Sequence, residues 1–216
     1  MLAAPVFGQV RDALFLGAHC DDVEIGCGAT IRALALANPS CRIRIVMFSG
    51  GGNGRGEESR AAISRLLPAS ARHELKVHDF RDGFFPADWS SIKAVFETMK
   101  AEGRPDLVFT HHGDDRHQDH RVVSELTWNT FRDQLILEYE IPKWDGDLGR
   151  PQAFVQLDRA AADHKIAALL ECFPSQHGRA WFTGEVFAGL MRLRGMECNA
   201  PGGYAEAFHV RKVVVS

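Results

Sequence analysis

The chain has 216 residues, with 45% hydrophobic and 25% charged, and Lys plus Arg of 25 against Asp plus Glu of 28 gives a net charge of -3. That composition fits a soluble globular protein of one domain, 1–216, and excludes disorder, collagen and coiled coil. The charge balance argues against partners held by bulk positive charge, so neither nucleic acid nor a membrane surface is expected.

In chain order, Ala13–Ala18 reads as a short buried strand and Thr30–Ala37 as a helix ended by Asn38-Pro39. Arg42–Phe48 is a strand, followed by the glycine-rich loop 49–56 and a helix over Glu57–Leu67. A strand at Leu75–Phe80, a helix at Ser90–Ala101 and a strand at Asp106–Thr110 follow. This alternation predicts an α/β fold, a mainly parallel sheet covered on both faces, with its ligand site beyond the carboxyl ends of the strands. The second half reads less regularly. It gives a helix at Val122–Asp133, a strand at Leu135–Pro142, a loop at 143–152, helices at Ala160–Cys172 and Gly184–Arg194, and a last strand at Lys212–Val215.

Two strand ends carry clustered histidine and aspartate. His19-Cys20-Asp21-Asp22 follows the first strand, and His111 to His120 follows the strand Asp106–Thr110. Two neutral imidazoles and a carboxylate suit Zn²⁺ with one position left open. The same donors accept iron or cobalt. His111 and His112 directly follow a strand and read as structural histidines, with substrate contact as the alternative. His73, His78, His164, His177 and His209 have no partner motif. The run Gly50–Gly56 lacks the Gly-Lys-Ser/Thr ending of a phosphate loop and reads as a flexible loop over the pocket. Trp144 and Trp181 are offered to the core or to a sugar ring.

The segment Ala18-His-Cys-Asp-Asp-Val-Glu-Ile-Gly-Cys-Gly-Ala-Thr30 resembles the A-H-P-D-D-x-E-x-G-C-G-G-T signature of the PIG-L/LmbE-like N-acetylglucosaminyl deacetylases. Asp115-Arg-His-Gln-Asp-His120 is similar to their D-x-H-x-D-H. Arg55-Gly-Glu-Glu58, Pro174-Ser-Gln176 and Gly203-Tyr-Ala-Glu-Ala-Phe208 resemble their later elements. The resemblance implies a Rossmann-like three-layer fold whose irregular C-terminal part completes the pocket. It implies one zinc per chain, held by His19, Asp22 and His120. Asp21 is then the general base, His117 faces the developing oxyanion with Asp119 on its other ring nitrogen, and Arg55 contacts substrate.

The expected reaction is removal of an N-acetyl or other N-acyl group from an amino sugar or sugar-containing small molecule. Zinc would lower the pKa of bound water to about 7 and polarise the carbonyl. Asp21 would carry the proton to the leaving amine, and a protonated His117 would stabilise the oxyanion. Two alternatives stay open: a zinc amidase for a thiol conjugate, lipopeptide or natural-product scaffold, and a non-catalytic module binding a nucleotide or sugar. Family members are often oligomers, which implies a homo-oligomer. Cys20 stands where the family has proline, and a thiol there could bind zinc or oxidise. The five scattered cysteines and the lack of a signal sequence in Met1–Val10 suggest reduced thiols in the cytoplasm.

Overall fold

The computed structural model describes residues 7–52 and 54–214. Five parallel strands come first: β1 Asp12–Gly17, β2 Arg42–Met47, β3 Arg72–Val77, β4 Leu107–His111 and β5 Leu135–Tyr139. Between them run α1 Asp22–Ala37, α2 Arg55–Leu66, α3 Trp89–Ala101 and α4 Gln118–Thr130. β6 Ala153–Leu157, α5 Arg159–Cys172, α6 Gly184–Glu197 and β7 Tyr204–His209 complete the order. The sheet has seven strands in the order β3-β2-β1-β4-β5-β7-β6, with β7 antiparallel to both its neighbours.

Alternation along the strands builds two cores. Phe15, Ile43, Ile45 and Phe109 face α1, α2 and α5, while Leu14, Leu16, Val46 and Val108 face α3 and α4. This is the three-layer, Rossmann-like fold expected from the strand–helix alternation. The strand order reverses between β1 and β4. The loops 18–21 and 112–117 therefore leave adjacent strands at one switch point, where such sheets form their sites.

The structure corrects several expectations. α1 begins at Asp22, not Thr30, and is bent at Cys27, whose φ of -146° is not helical. Gly26, Cys27 and Gly28 interrupt the apolar periodicity there, which hides the first turn from a sequence reading. α4 begins at Gln118 rather than Val122, so the second motif also opens a helix. The C-terminal part is regular: β6 and β7 extend the sheet. The expected strand at Lys212–Val215 is not formed over 212–214, and Val215 lies outside the described residues, as does much of the Met1–Val10 segment. Among the described residues no helix is long and apolar enough to cross a membrane.

Candidate active site

The loop from β1 delivers His19, Asp21 and Asp22, all buried. The α4 N-terminus delivers His117, Asp119 and His120. His19 Nδ1 lies 3.4 Å from Asp22 Oδ2 and 3.3 Å from His120 Nε2, and His120 Nε2 lies 3.6 Å from Asp22 Oδ1. Zinc with bonds of about 2.0–2.1 Å spans a tetrahedron edge of about 3.4 Å, and these separations are near it, with Asp22 turning one oxygen to each imidazole.

The outer nitrogens fit as well. His19 Nε2 is 3.1 Å from Asp119 Oδ2, and His120 Nδ1 is 2.9 Å from Asp115 Oδ2. A carboxylate behind each imidazole fixes its tautomer and aims the other nitrogen forward. Burial and the neighbouring His111 push His120 down to about 4, so its ring is neutral. Burial would raise Asp22, but His120 and His111 outweigh it and hold it well below the carboxylate range. His120 and Asp22 are thus in the deprotonated form that a metal requires. Burial would lower His19 too, but Asp119, Asp22 and Asp82 outweigh it and raise its pKa well above the ordinary 6.5, so a metal displaces a proton from that ring.

Three overlapping groups of donors gather here among the described residues: His19 with His117 and His120, His19 with Asp82, His117 and Asp119, and Asp22 with His111 and His120. His111 Nε2 accepts the Ala18 N–H at 2.9 Å and lies 3.2 Å from Asp22 Oδ2, with its ring stacked on His120. These are the contacts of a structural histidine. His112 likewise pairs through Nδ1 with Glu138 at 2.9 Å.

Asp21 caps α1 at φ 142°, a conformation that strains any residue with a Cβ. Its Oδ2 is 2.7 Å from Arg55 Nη2, which also donates to the Cys20 carbonyl at 2.7 Å. Burial pushes Asp21 up to about 7, against the pull of Arg55, which places it in the range of a working general base. Arg55, expected on substrate, is largely buried against this carboxylate.

The Asp119 carboxylate is placed differently from its expected position on the His117 ring. It holds His19 and accepts the Gly83 N–H at 2.6 Å and the Phe85 N–H at 3.1 Å. His117 Nδ1 instead accepts the backbone N–H of Asp119 at 3.3 Å. That leaves Nε2 as the protonated, donating nitrogen. Burial and the nearby His19 lower the His117 pKa, so the ring is a neutral donor rather than the imidazolium expected. Cys20 turns away: its thiol donates to the Ser49 carbonyl at 3.2 Å, and burial raises its pKa.

Sequence reasoning missed three groups. Asp115 orients His120 and accepts the His117 N–H at 2.7 Å. It opens the D-x-H-x-D-H segment, so its place was visible. Lys143 Nζ reaches Asp115 at 3.0 Å, and Asp82 Oδ1 comes within 3.1 Å of His19 Nε2. Both lie on loops with no spacing pattern, and only the fold brings them in.

A doubly wound sheet that gathers imidazoles and carboxylates at its switch point has the make-up of an α/β enzyme with a metal site. A PIG-L family model, GlcNAc-PI de-N-acetylase, matches residues 14–131. The chain is 32% identical over 175 residues to the uncharacterized deacetylase YaiS of Escherichia coli (strain K12), covering 74% of this chain and 89% of that one. The chain belongs to the PIG-L family, and it is a hydrolase of amide bonds, a deacetylase.

Solved structures agree on the fold. The N,N'-diacetylchitobiose deacetylase of Pyrococcus horikoshii, complexed with its inhibitor MPG, superposes with a TM-score of 0.75 at 18% identity, covering 94% of this chain and 85% of that one. GalB, the 4-carboxy-2-hydroxymuconate hydratase of Pseudomonas putida KT2440, gives 0.74 at 20% identity, covering 95% and 98%. One fold therefore carries both deacetylation and hydration, and the substrate must be argued from the site.

Proposed function

We propose that the enzyme is a zinc-dependent N-deacetylase acting on an N-acetylated amino sugar or a sugar-containing small molecule. The observation that carries this reading is the spacing of His19 Nδ1, Asp22 and His120 Nε2, between 3.3 and 3.6 Å, with a carboxylate behind each ring. These three residues would hold the ion. When bound, zinc polarises the amide carbonyl and lowers the pKa of water. The amino-sugar class is supported by the family's description and by the substrate named for the Pyrococcus horikoshii enzyme.

The side chains supply the rest. Asp21 takes a proton from the attacking water and returns it to the departing amine nitrogen. Its buried carboxylate is held at one oxygen by Arg55. His117 donates from Nε2 to the oxygen on which negative charge develops. Asp119 fixes the ring of His19, and Asp115 that of His120. Arg55 serves first as the partner of the base, with substrate contact added from its exposed edge.

A cytoplasmic setting is supported by five free thiols, four of them buried. Self-association belongs to the same proposal, and a monomeric mass by light scattering contradicts it.

The test combines metal analysis of the purified protein with acetate release from N-acetylglucosamine and N,N'-diacetylchitobiose. The expected result is bound zinc and turnover, with Asp21→Asn keeping the metal and losing about 10²–10⁴-fold in rate. Full activity in Asp21→Asn removes the mechanism. Turnover of acylated thiols or lipopeptides but not of amino sugars moves the substrate class.

A further inference from the structure

α1 is broken where it leaves the site. An unbroken helix would bond the Ala29 N–H to the Ile25 carbonyl and the Thr30 N–H to the Gly26 carbonyl. Here the two N–H groups go elsewhere. Ala29 donates to Glu206 Oε1 at 3.0 Å, and Thr30 donates to Glu206 Oε2 at 2.6 Å. The Ile25 carbonyl accepts Lys165 Nζ at 2.5 Å, and the same Nζ lies 2.5 Å from Glu206 Oε1. An ion pair thus stands inside the helical ladder, at the kink of Cys27.

Both charges are buried, with side chains 4% and 2% exposed. They come from α5 and from β7, remote in sequence and outside the donor groups described above. A buried pair contributes little net stability compared with apolar packing, which leaves its presence here to be explained. What it does geometrically is clear. It separates the turn 22–26 from the rest of α1 and satisfies the groups that the break would orphan. That turn begins with Asp22 and is capped by Asp21, and the Ile25 N–H bonds the Asp21 carbonyl at 2.8 Å.

We propose that Lys165 and Glu206 are positioning residues that splint the broken helix, setting the direction in which Asp22 meets His19 and His120 and Asp21 meets Arg55. The proposal rests on the metal reading above. It assigns a purpose to the Glu206 of Tyr204-Ala-Glu-Ala-Phe208 and to a lysine that no sequence pattern marks.

The experiment uses the full chain, stripped of metal and titrated with Co²⁺, whose visible bands report ligand geometry. Two variants are compared with wild type. Glu206→Gln keeps the shape but cannot accept both N–H groups. Lys165→Met/Glu206→Gln removes both charges together, so no buried ion is left alone.

Both are expected to fold, by circular dichroism, and to bind Co²⁺ about tenfold or more weaker with altered bands. Their kcat for deacetylation falls while KM stays near the wild-type value. Folded variants with wild-type Co²⁺ affinity and bands overturn the splint while leaving the metal reading intact. A double variant that does not fold overturns it too, because the pair is then a folding element. A wild type that binds no metal removes the metal reading and the splint with it.

Discussion

One nitrogen of Arg55 bonds two neighbours in the chain: the Asp21 carboxylate and the Cys20 carbonyl, each at 2.7 Å. Asp21 is held at φ 142°, and a strained residue persists only where its surroundings over-determine it. The guanidinium is one such constraint.

Arg55→Gln therefore lowers kcat more than it raises KM. The expected loss in kcat is about 10–100-fold, a fraction of what general-base catalysis contributes. Steady-state kinetics on an N-acetylated amino sugar check this. A rise in KM at unchanged kcat would make Arg55 a substrate contact alone.

Gly26 lies against the ring of Tyr139, and a Cβ there would overlap the Cδ2 and Cγ atoms. Tyr139 cannot withdraw easily, since its hydroxyl donates to the Leu16 carbonyl at 2.6 Å and the side chain is fully buried. Gly26→Ala is expected to destabilise by about 1–3 kcal/mol through overpacking, read from urea unfolding. Gly26→Ala in a Tyr139→Leu background should cost less than in wild type. Equal costs in both backgrounds refute the contact.

How much of this was legible in the sequence depends on the range of the contacts. His19, Asp22 and His120 stand in two short motifs at strand ends, and the strands themselves are rich in apolar residues, continuous in β1 and β4 and interrupted by Arg44 in β2. β1, β2 and β4 were visible for that reason. The broken start of α1 was not, because its ladder is completed by Lys165 and Glu206, more than a hundred residues away. β7 alternates weakly, and its Glu206 side chain points into the core, so the strand did not show the polar-out pattern. The partner of Asp119 also needed coordinates. Spacing places Asp119 near both His117 and His19, and only the fold shows that the carboxylate takes His19.

The C-terminal elements are joined to the sheet by a second buried pair. Glu140 accepts Arg194 Nε at 2.9 Å and Nη2 at 2.8 Å, and it also takes the Gly149 N–H at 3.0 Å. Burial would raise the Glu140 pKa, but the bond to His209 and the charge of Arg194 outweigh it and lower the value below the ordinary 4.5. A carboxylate with a depressed folded pKa stabilises the protein fully above its unfolded value. That contribution is lost as pH falls through the folded one. Stability is thus expected to decline below about pH 4.5, and Glu140→Gln should flatten part of that decline. Arg194→Met leaves the buried Glu140 charge with only His209 and the Gly149 N–H and should cost about 3–5 kcal/mol near neutrality. The cost shrinks in acid, where Glu140 is protonated. Denaturant midpoints across pH decide this, and a pH-independent Arg194→Met penalty contradicts it.

Zinc should stabilise the folded chain by mass action. At a free concentration of 100 times its Kd the gain is about 2.7 kcal/mol, or about 5–10 °C in Tm for a chain of this size. The two donor sets that share Asp22 and His120 differ in their third member, His19 or His111. His111 Nε2 already accepts the Ala18 N–H, while His19 Nδ1 faces Asp22 and His120 with its other nitrogen held by Asp119. His19→Gln is therefore expected to abolish the zinc-dependent rise in Tm. His111→Gln should keep most of the rise, measured against its own metal-free baseline, even where that baseline is lower. Asp22→Asn should abolish it as well, since the site then loses its one anionic ligand. Calorimetry with and without zinc separates the two sets. A rise that survives His19→Gln and vanishes in His111→Gln would move the metal to the inner set and leave Asp21 without a water to deprotonate.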